Sequence, residues 1–387
     1  MADPALVRES LALRRGIGRF ASHREWLAAP EGPALTARVQ RFLAPVRRFS
    51  SPVAPSGPAA GLRVVHWNVL HGNRYDGLRA ALRDEPALAG ADLLSLNEVD
   101  LGLARSGNRD VAFDLARELG MHAAWAALFL ELEGGSDTPR EIATQEQAEA
   151  LFGLALLSRF PLGAAARVEL ESGSAFLFDT ERKVGGLVAL VVEVLRPGAP
   201  FHAVVTHLDV HRGPAVRALQ MQAILAHLPP GPALLCGDLN TTSFTRGNAL
   251  RAAGVLGVLA LWPPGRLRQR LLQPYLPRGR PREPLFTVLS QAGLAVEGFN
   301  TTTESLDLHL QDVREYQSLA PGVRRLGQGL LRHAERRGRH RLDWIAARGF
   351  EPAPEHPPFA LPHLMRGEAA LSDHAPIGCG LRGGGSA

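Results

Sequence analysis

The run ALLCGDLN at positions 233–240 decides how this chain folds: four consecutive apolar residues, Ala233 to Cys236, give way abruptly to Gly237, Asp238, Leu239 and Asn240. A run this short and continuously apolar reads as a strand covered on both faces, closed by polar residues at its carboxyl end. Seven other stretches follow the same pattern: RVVHWNVL (63–70), DLLSLNEV (92–99), GLALLSRF (153–160), GLVALVVEVL (186–195), FHAVVTHLDV (201–210), RLDWIAARG (341–349) and APIGCGLR (375–382). Helix-like stretches separate them, and no internal repeat is present. Such a set is too large for a small sandwich. The expected fold is α/β, a four-layer α/β/β/α sandwich with two packed mixed sheets and outer helices.

The rest of the sequence bounds that reading. With 387 residues, 45% hydrophobic and 21% charged, the composition is that of a globular protein with a sizeable core. Two cysteines, Cys236 and Cys379, allow at most one bridge, so disulfides do not organise the fold. Cys236, inside an apolar run, reads as a small buried hydrophobe. The net charge of +5 comes from 43 basic and 38 acidic residues, and positions 1–60 carry the whole excess. SSPVAPSGPAAG (50–61) reads as a linker. We therefore expect a basic N-terminal extension and linker over 1–60, and a single domain over 61–382 with a basic insertion at about 301–340. Positions 266–282 hold six arginines and no acid, which suits an anionic partner such as nucleic acid or an anionic membrane surface. Yet Lys183 is the single lysine, and genome composition produces such a skew as readily as phosphate binding does. MADPALVRES at the start has no apolar signal-peptide core, so a cytoplasmic monomer is expected. The longest apolar run, 252–264, is too short to span a bilayer. It reads as a buried helix end, with an interfacial anchor as the alternative.

Polar groups recur where the strand-like runs end: Asn68, Glu98, His207, Asp238, Asn240, Asp343 and the pair Asp373 and His374. Strand ends are where α/β proteins place their sites. Carboxylates and amides without cysteine suit Mg²⁺ or Mn²⁺ better than Zn²⁺. A hard cation beside histidine and aspartate points to phosphate chemistry. A phosphoester needs its charge neutralised, a water positioned, a leaving oxygen protonated and its free oxygens held by donors. Taken singly, each residue has a plainer reading: Asn68 and Asn240 as turn residues, Glu98 and Asp238 as helix caps, Asp343 as a surface position. Their ordered co-occurrence favours the functional one. His66, His71, His202, His211 and Asp209 read as structural, with His71 and Asp209 the likeliest exceptions because they neighbour site positions.

The strings WNV (67–69), NE (97–98), THL (206–208), GDLN (237–240), LDWI (342–345) and SDHAP (372–376), in this order, resemble the endonuclease/exonuclease/phosphatase superfamily over roughly residues 62–382. GLALLSRFP (153–161) is similar to a further superfamily strand, but Leu154 stands where asparagine is usual, which leaves that asparagine's role unfilled. The resemblance implies Glu98 as principal metal ligand, with Asn68 and Asp373 beside the metal. It implies Asp238 as the group that orients or deprotonates water, Asn240 as a phosphate contact, and His374, oriented by Asp343, as a donor to a phosphoryl oxygen. His207 matches the deoxyribonuclease- and sphingomyelinase-like branch. Arg217 and Gln220 resemble an R-x-x-Q that packs behind the histidine strand.

The expected activity is divalent-metal-dependent phosphoester hydrolysis, as a phosphodiesterase or endonuclease in which water attacks phosphorus. The alternative is a sphingomyelinase- or inositol-phosphatase-like hydrolase of lipid or inositol head groups. A non-catalytic binding module that kept the fold is the third reading.

Overall fold

The computed structural model describes residues 3–53, 61–135, 138–242, 261–306, 337, 339–367 and 369–383. Most of the basic insertion expected at 301–340, and positions 252–260 of the apolar run, lie outside the described residues. The strands are β1 (Val46–Phe49), β2 (Leu62–His71), β3 (Leu93–Leu101), β4 (His122–Glu131), β5 (Leu151–Ser158), β6 (Leu162–Glu169), β7 (Lys183–Gly185) and β8 (Val188–Val194). They continue with β9 (Phe201–His207), β10 (Ala233–Asp238), β11 (Asp343–Arg348), β12 (Phe350–Pro352), β13 (Phe359–Ala360), β14 (Met365–Arg366), β15 (Ala369–Ala370) and β16 (Ile377–Gly383). The helices are α1 (Pro4–Gly18), α2 (His23–Ala28), α3 (Gly32–Leu43), α4 (Tyr75–Asp84), α5 (Val111–Leu119), α6 (Arg140–Ala143), α7 (Ser174–Glu181), α8 (Pro214–Ala226), α9 (Pro264–Leu272) and α10 (Pro284–Gln291).

One sheet runs β1-β4-β5-β3-β2-β16-β12, with β7 also on β4 and β13 also on β16. The other runs β11-β10-β9-β8-β6. Both are mixed, because β2 with β3 and β9 with β10 are parallel inside otherwise antiparallel sheets. Strand alternation sorts the apolar side chains into three layers. On β2, Leu62 and Val64 enter the layer between the sheets, while Val65, Trp67 and Val69 face α4 and α5 on the outside. On β10, Leu234 and Cys236 point between the sheets, and Ala233 and Leu235 face α8 and α10. Helices thus cover the outer faces of two sheets that pack face to face, and the fold is the four-layer α/β/β/α sandwich.

Residues 4–49 pack against the first sheet. Strand β1 extends the first sheet, in register with β4 from Val46 opposite Ala126 to Phe49 opposite Ala123. Helices α1 to α3 bury Leu13, Ile17, Trp26, Leu35 and Val39 in the outer apolar layer of that sheet. Trp26 stacks on Phe178 of α7 with centroids 5.5 Å apart. In α1 the buried positions Ser10, Leu13 and Ile17 follow helical spacing, so the arginines between them occupy the solvent face of an amphipathic helix. Arg38 pairs with Glu9 at 2.9 Å and Arg19 with Glu31, so two of the segment's nine arginines are paired within it and the net excess is carried by the others. Among the described residues, no helix is long and apolar enough to cross a membrane.

If the segment is part of the core, Ile17→Ala should cost about 2–5 kcal/mol. Urea unfolding followed by circular dichroism measures it; a loss near zero would mean that the helices dock without stabilising the sandwich.

Candidate active site

The layer between the sheets is apolar along most of its length and polar at one end. Along β2 the inward positions read Leu62, Val64, His66, Asn68; along β9 they read Phe201, Ala203, Val205, His207. Along β10 they read Leu234, Cys236, Asp238, and along β11, in the reverse direction, Ala347, Ile345, Asp343. Register brings the ends together: Asp238 lies opposite His207 on one side and opposite Asp343 on the other. Residues Ser372 to His374 lead into β16, which pairs with β2 from Ile377 opposite His66. Two strands are irregular here, with register shifts between Asn68 and His71 and between Leu96 and Val99. Such bulges re-aim side chains. Glu98 adopts φ of 56° and Asn240 φ of 48°, left-handed conformations that a non-glycine residue holds only where its surroundings impose them.

Asp343 is the most enclosed of these groups. Its Oδ2 accepts from Ser305 Oγ at 2.6 Å and pairs with His374 Nδ1 at 2.7 Å, and its Oδ1 lies 3.2 Å from His66 Nε2. His66 is itself fixed by Ser95 Oγ, 2.9 Å from Nδ1. Burial alone would raise the Asp343 carboxyl, but the charge and hydrogen bond of His374, with those of His66, outweigh it and hold the group well below the usual carboxylate range. For His374 burial works against protonation, yet the charges of Asp343 and Asp238 lift the imidazole well above its ordinary value. Its Nε2 faces Asp238 Oδ2 at 3.7 Å, and Trp67 Nε1 anchors its carbonyl at 2.9 Å.

Asp238 Oδ2 is also 3.5 Å from His207 Nε2, while its Oδ1 accepts from the Asn240 backbone N–H at 2.9 Å. Asn240 Nδ2 donates to the Leu208 carbonyl at 2.9 Å, which uses one of its two N–H bonds. Beyond them lies the second group. Asn68 Nδ2 donates to Glu98 Oε1 at 3.1 Å, and Ser372 Oγ donates to the Asn68 carbonyl at 2.7 Å while accepting from His374 N at 3.1 Å. Burial, and after the opposing His207 the nearby charge of Asp373, push the Glu98 carboxyl up. The Glu98 and Asp373 carboxylates oppose each other beside the Asn68 amide, whose Oδ1 here accepts from Leu70 N at 3.2 Å, and carboxylate and amide oxygens are the donors that suit a hard divalent cation. Behind Glu98, His71 Nε2 lies 3.6 Å from Oε2 and its Nδ1 lies 3.8 Å from Asp100, which Arg105 grips with two contacts of 2.8 Å. Burial and the neighbouring cations lower the His71 imidazole well below its ordinary value.

All eight residues singled out in the sequence sit at this polar end. Among the described residues, Asp238, Asp343 and His374 also offer ligand atoms within 4.8 Å of one another. The short His374–Asp343 bond already occupies that imidazole nitrogen, so this trio is a hydrogen-bonded relay first. Sequence reasoning passed over His66 as structural and missed Ser305 altogether. His66 carried a signal, as a polar inward position two residues before Asn68. Ser305 carried none, because it lies in a loop 38 residues from its partner. Leu154 is fully enclosed in the apolar layer between the sheets, so no polar side chain replaces the missing asparagine at that position. Asp209 caps its own turn through the His211 and Arg212 N–H groups, Arg217 holds Glu283 at 2.9 and 3.0 Å, and Gln220 accepts from Asp209 N, all packing roles. The Cys236 thiol is buried and pushed well up by that burial.

None of the curated proteins matches this sequence significantly. Solved structures do: an endonuclease/exonuclease/phosphatase from Beutenbergia cavernae DSM 12333 is 19% identical, aligned over 84% of this chain and 72% of that one with a TM-score of 0.48. The human Nocturnin catalytic domain with bound sulfate anion is 19% identical over 87% and 97%, TM-score 0.44. D. rerio TDP2 complexed with single-strand DNA product is 15% identical over 84% and 100%, TM-score 0.44. The model of the Endonuclease/Exonuclease/phosphatase family matches residues 65–374, most of the chain and every residue of the site. The chain belongs to this family, whose members are hydrolases acting on phosphoester bonds.

Proposed function

We propose that this protein is a divalent-metal-dependent phosphodiesterase of the endonuclease type. One observation carries the reading: the imidazole of His374 faces the carboxylate of Asp238 at 3.7 Å, with Asp343 behind it at 2.7 Å. A base and an acid are thus presented side by side to one reacting centre. Asp238 positions the attacking water and takes its proton. His374 donates from Nε2 to a phosphoryl oxygen, and Asp343 fixes its tautomer and keeps it charged. The free N–H of Asn240, with His207, holds a second phosphoryl oxygen. Glu98, Asn68 and Asp373 would hold Mg²⁺ or Mn²⁺, which when bound neutralises charge that develops on the phosphate and the leaving oxygen.

A polyanionic substrate is supported by exposed cations on a segment that Arg282 ties to the end of β10. Arg266 and Arg268 on α9, with Arg278 and Arg280 after it, are exposed. Arg282 ties this segment to the site by bonding Thr241 and the Arg341 carbonyl. Part of the basic composition is structural, however. Arg282 and Arg341 are buried, and burial lowers their guanidinium groups to about 9 and about 10.

The test is Mg²⁺-dependent hydrolysis of bis(p-nitrophenyl) phosphate beside plasmid DNA and sphingomyelin vesicles, for the wild type and Asp238→Ala. Plasmid nicking that EDTA and the substitution both abolish supports the proposal. Release from vesicles with intact plasmid moves the substrate to lipid head groups, and silence on all three overturns catalysis. Asp343→Asn, nearly the same shape, should lower kcat by about 10²–10⁴-fold. In this variant His374 loses the largest of the charges that raise its pKa, so the alkaline limb of the pH–rate profile moves to lower pH. An unmoved limb would remove Asp343 from the proton inventory.

A further inference from the structure

A cleft of about 380 Å³ opens beside the site, between the loop after β2, the turn after β3 and the β14–β15 hairpin. Four arginines line it, Arg74, Arg105, Arg109 and Arg366, against one acidic residue, Asp76. Arg105 is committed to Asp100 and Glu131. Arg366 lies 3.5 Å from Asp84, a carboxylate that Arg83 already holds at 2.8 Å. Arg74 and Arg109 are exposed and have no carboxylate partner among the described residues. Arg109 does not hang free: its guanidinium packs 4.5 Å from the Tyr75 ring centroid, and the Tyr75 hydroxyl is tied to Glu118 at 3.2 Å. A stacked guanidinium loses less freedom on binding than a loose one.

The cleft adjoins the catalytic end on two sides. Leu371 in its wall directly precedes Ser372 and Asp373. Arg105, also in its lining, grips Asp100, and His71 lies between Asp100 and Glu98. A concave surface with unopposed arginines, adjoining the segments that carry the residues that would hold the metal, is built for an anionic group that arrives on the same molecule. We propose that this cleft binds a second phosphate of the substrate and selects for substrates that carry one. The identity of the substrate rests on the phosphoester reading above; the anion site itself does not.

The experiment compares substrates that differ by one phosphate. The dinucleotides pTpT and TpTp are set beside TpT, and inositol 1,4-bisphosphate beside inositol 1-phosphate, all with Mg²⁺. Wild type should favour the doubly charged member of one set by at least about tenfold in kcat/KM, and R74Q/R109Q should bring that preference close to unity. The set that shows it names the source of the phosphate. Equal preference in both proteins overturns the proposal. A binding arm uses calorimetry in EDTA with thymidine 3′,5′-bisphosphate, which the double variant should bind at least about tenfold more weakly. Unchanged binding rejects the cleft. If nothing is hydrolysed but this binding is lost in the variant, the cleft stands and the hydrolase reading falls. Circular dichroism of the variant, whose substitutions are at exposed positions, separates either result from misfolding.

Discussion

A single buried carboxylate ties the two sheets together at their functional end. Asp343 belongs to the second sheet, yet it receives His66 from the first sheet and His374 from the segment that enters the first sheet's β16. Ser305 completes the set from a loop and also accepts the N–H groups of Leu342 and Asp343. A charge withdrawn from water this fully is costly unless hydrogen bonds compensate it. Here three polar partners hold the carboxylate and two of them rest on further groups, since His66 needs Ser95 and His374 needs Ser372 to hold its backbone. The relative placement of the sheets is therefore read out directly as the distance between an imidazole and the Asp238 carboxylate. A shift of one sheet against the other disturbs the chemistry before it disturbs the apolar layer.

The same economy explains why the site sits where it does. Each inward column of side chains is apolar until its last one or two positions, so the sandwich interior supplies a dry floor and the strand ends supply the polar groups. Low polarity below strengthens the interaction of His374 with its two aspartates. Above it, the bulges at Asn68 to His71 and Leu96 to Val99 break the ladders at the point where Glu98 must turn toward Asn68. The left-handed conformation of Glu98 is a local cost borne by flanking strands that are firmly paired on both sides.

Much of this was legible in the sequence, because period-two alternation and polar strand ends are local signals. RVVHWNVL places His66 and Asn68 on the face of Val64, and ALLCGDLN places Asp238 on the face of Cys236, without any structure. What local signals cannot report is pairing at long range. The register that sets Asp238 opposite Asp343 joins positions more than a hundred residues apart, and Ser305 has no pattern of its own. The N-terminal segment shows a related limit. Its arginines dominated the composition, while the apolar stripe of α1 that packs it onto the sheet is thin, with only Ser10, Leu13 and Ile17 buried.

Arginine composition illustrates the limit most clearly. Nearly every cation here is arginine, and the fold assigns that residue two opposite tasks. Arg217, Arg282 and Arg341 are enclosed, and their planar forks satisfy backbone carbonyls or a buried carboxylate that no lysine could bridge in the same way. Arg74 and Arg109 face solvent at the rim of the site with no carboxylate to neutralise them. A count of charges treats these five alike. Burial and partners separate them, so the basic character of this chain bears on substrate only through exposed arginines without a carboxylate, and Arg74 and Arg109 are two of these, in a cleft that adjoins the segments carrying the residues that would hold the metal.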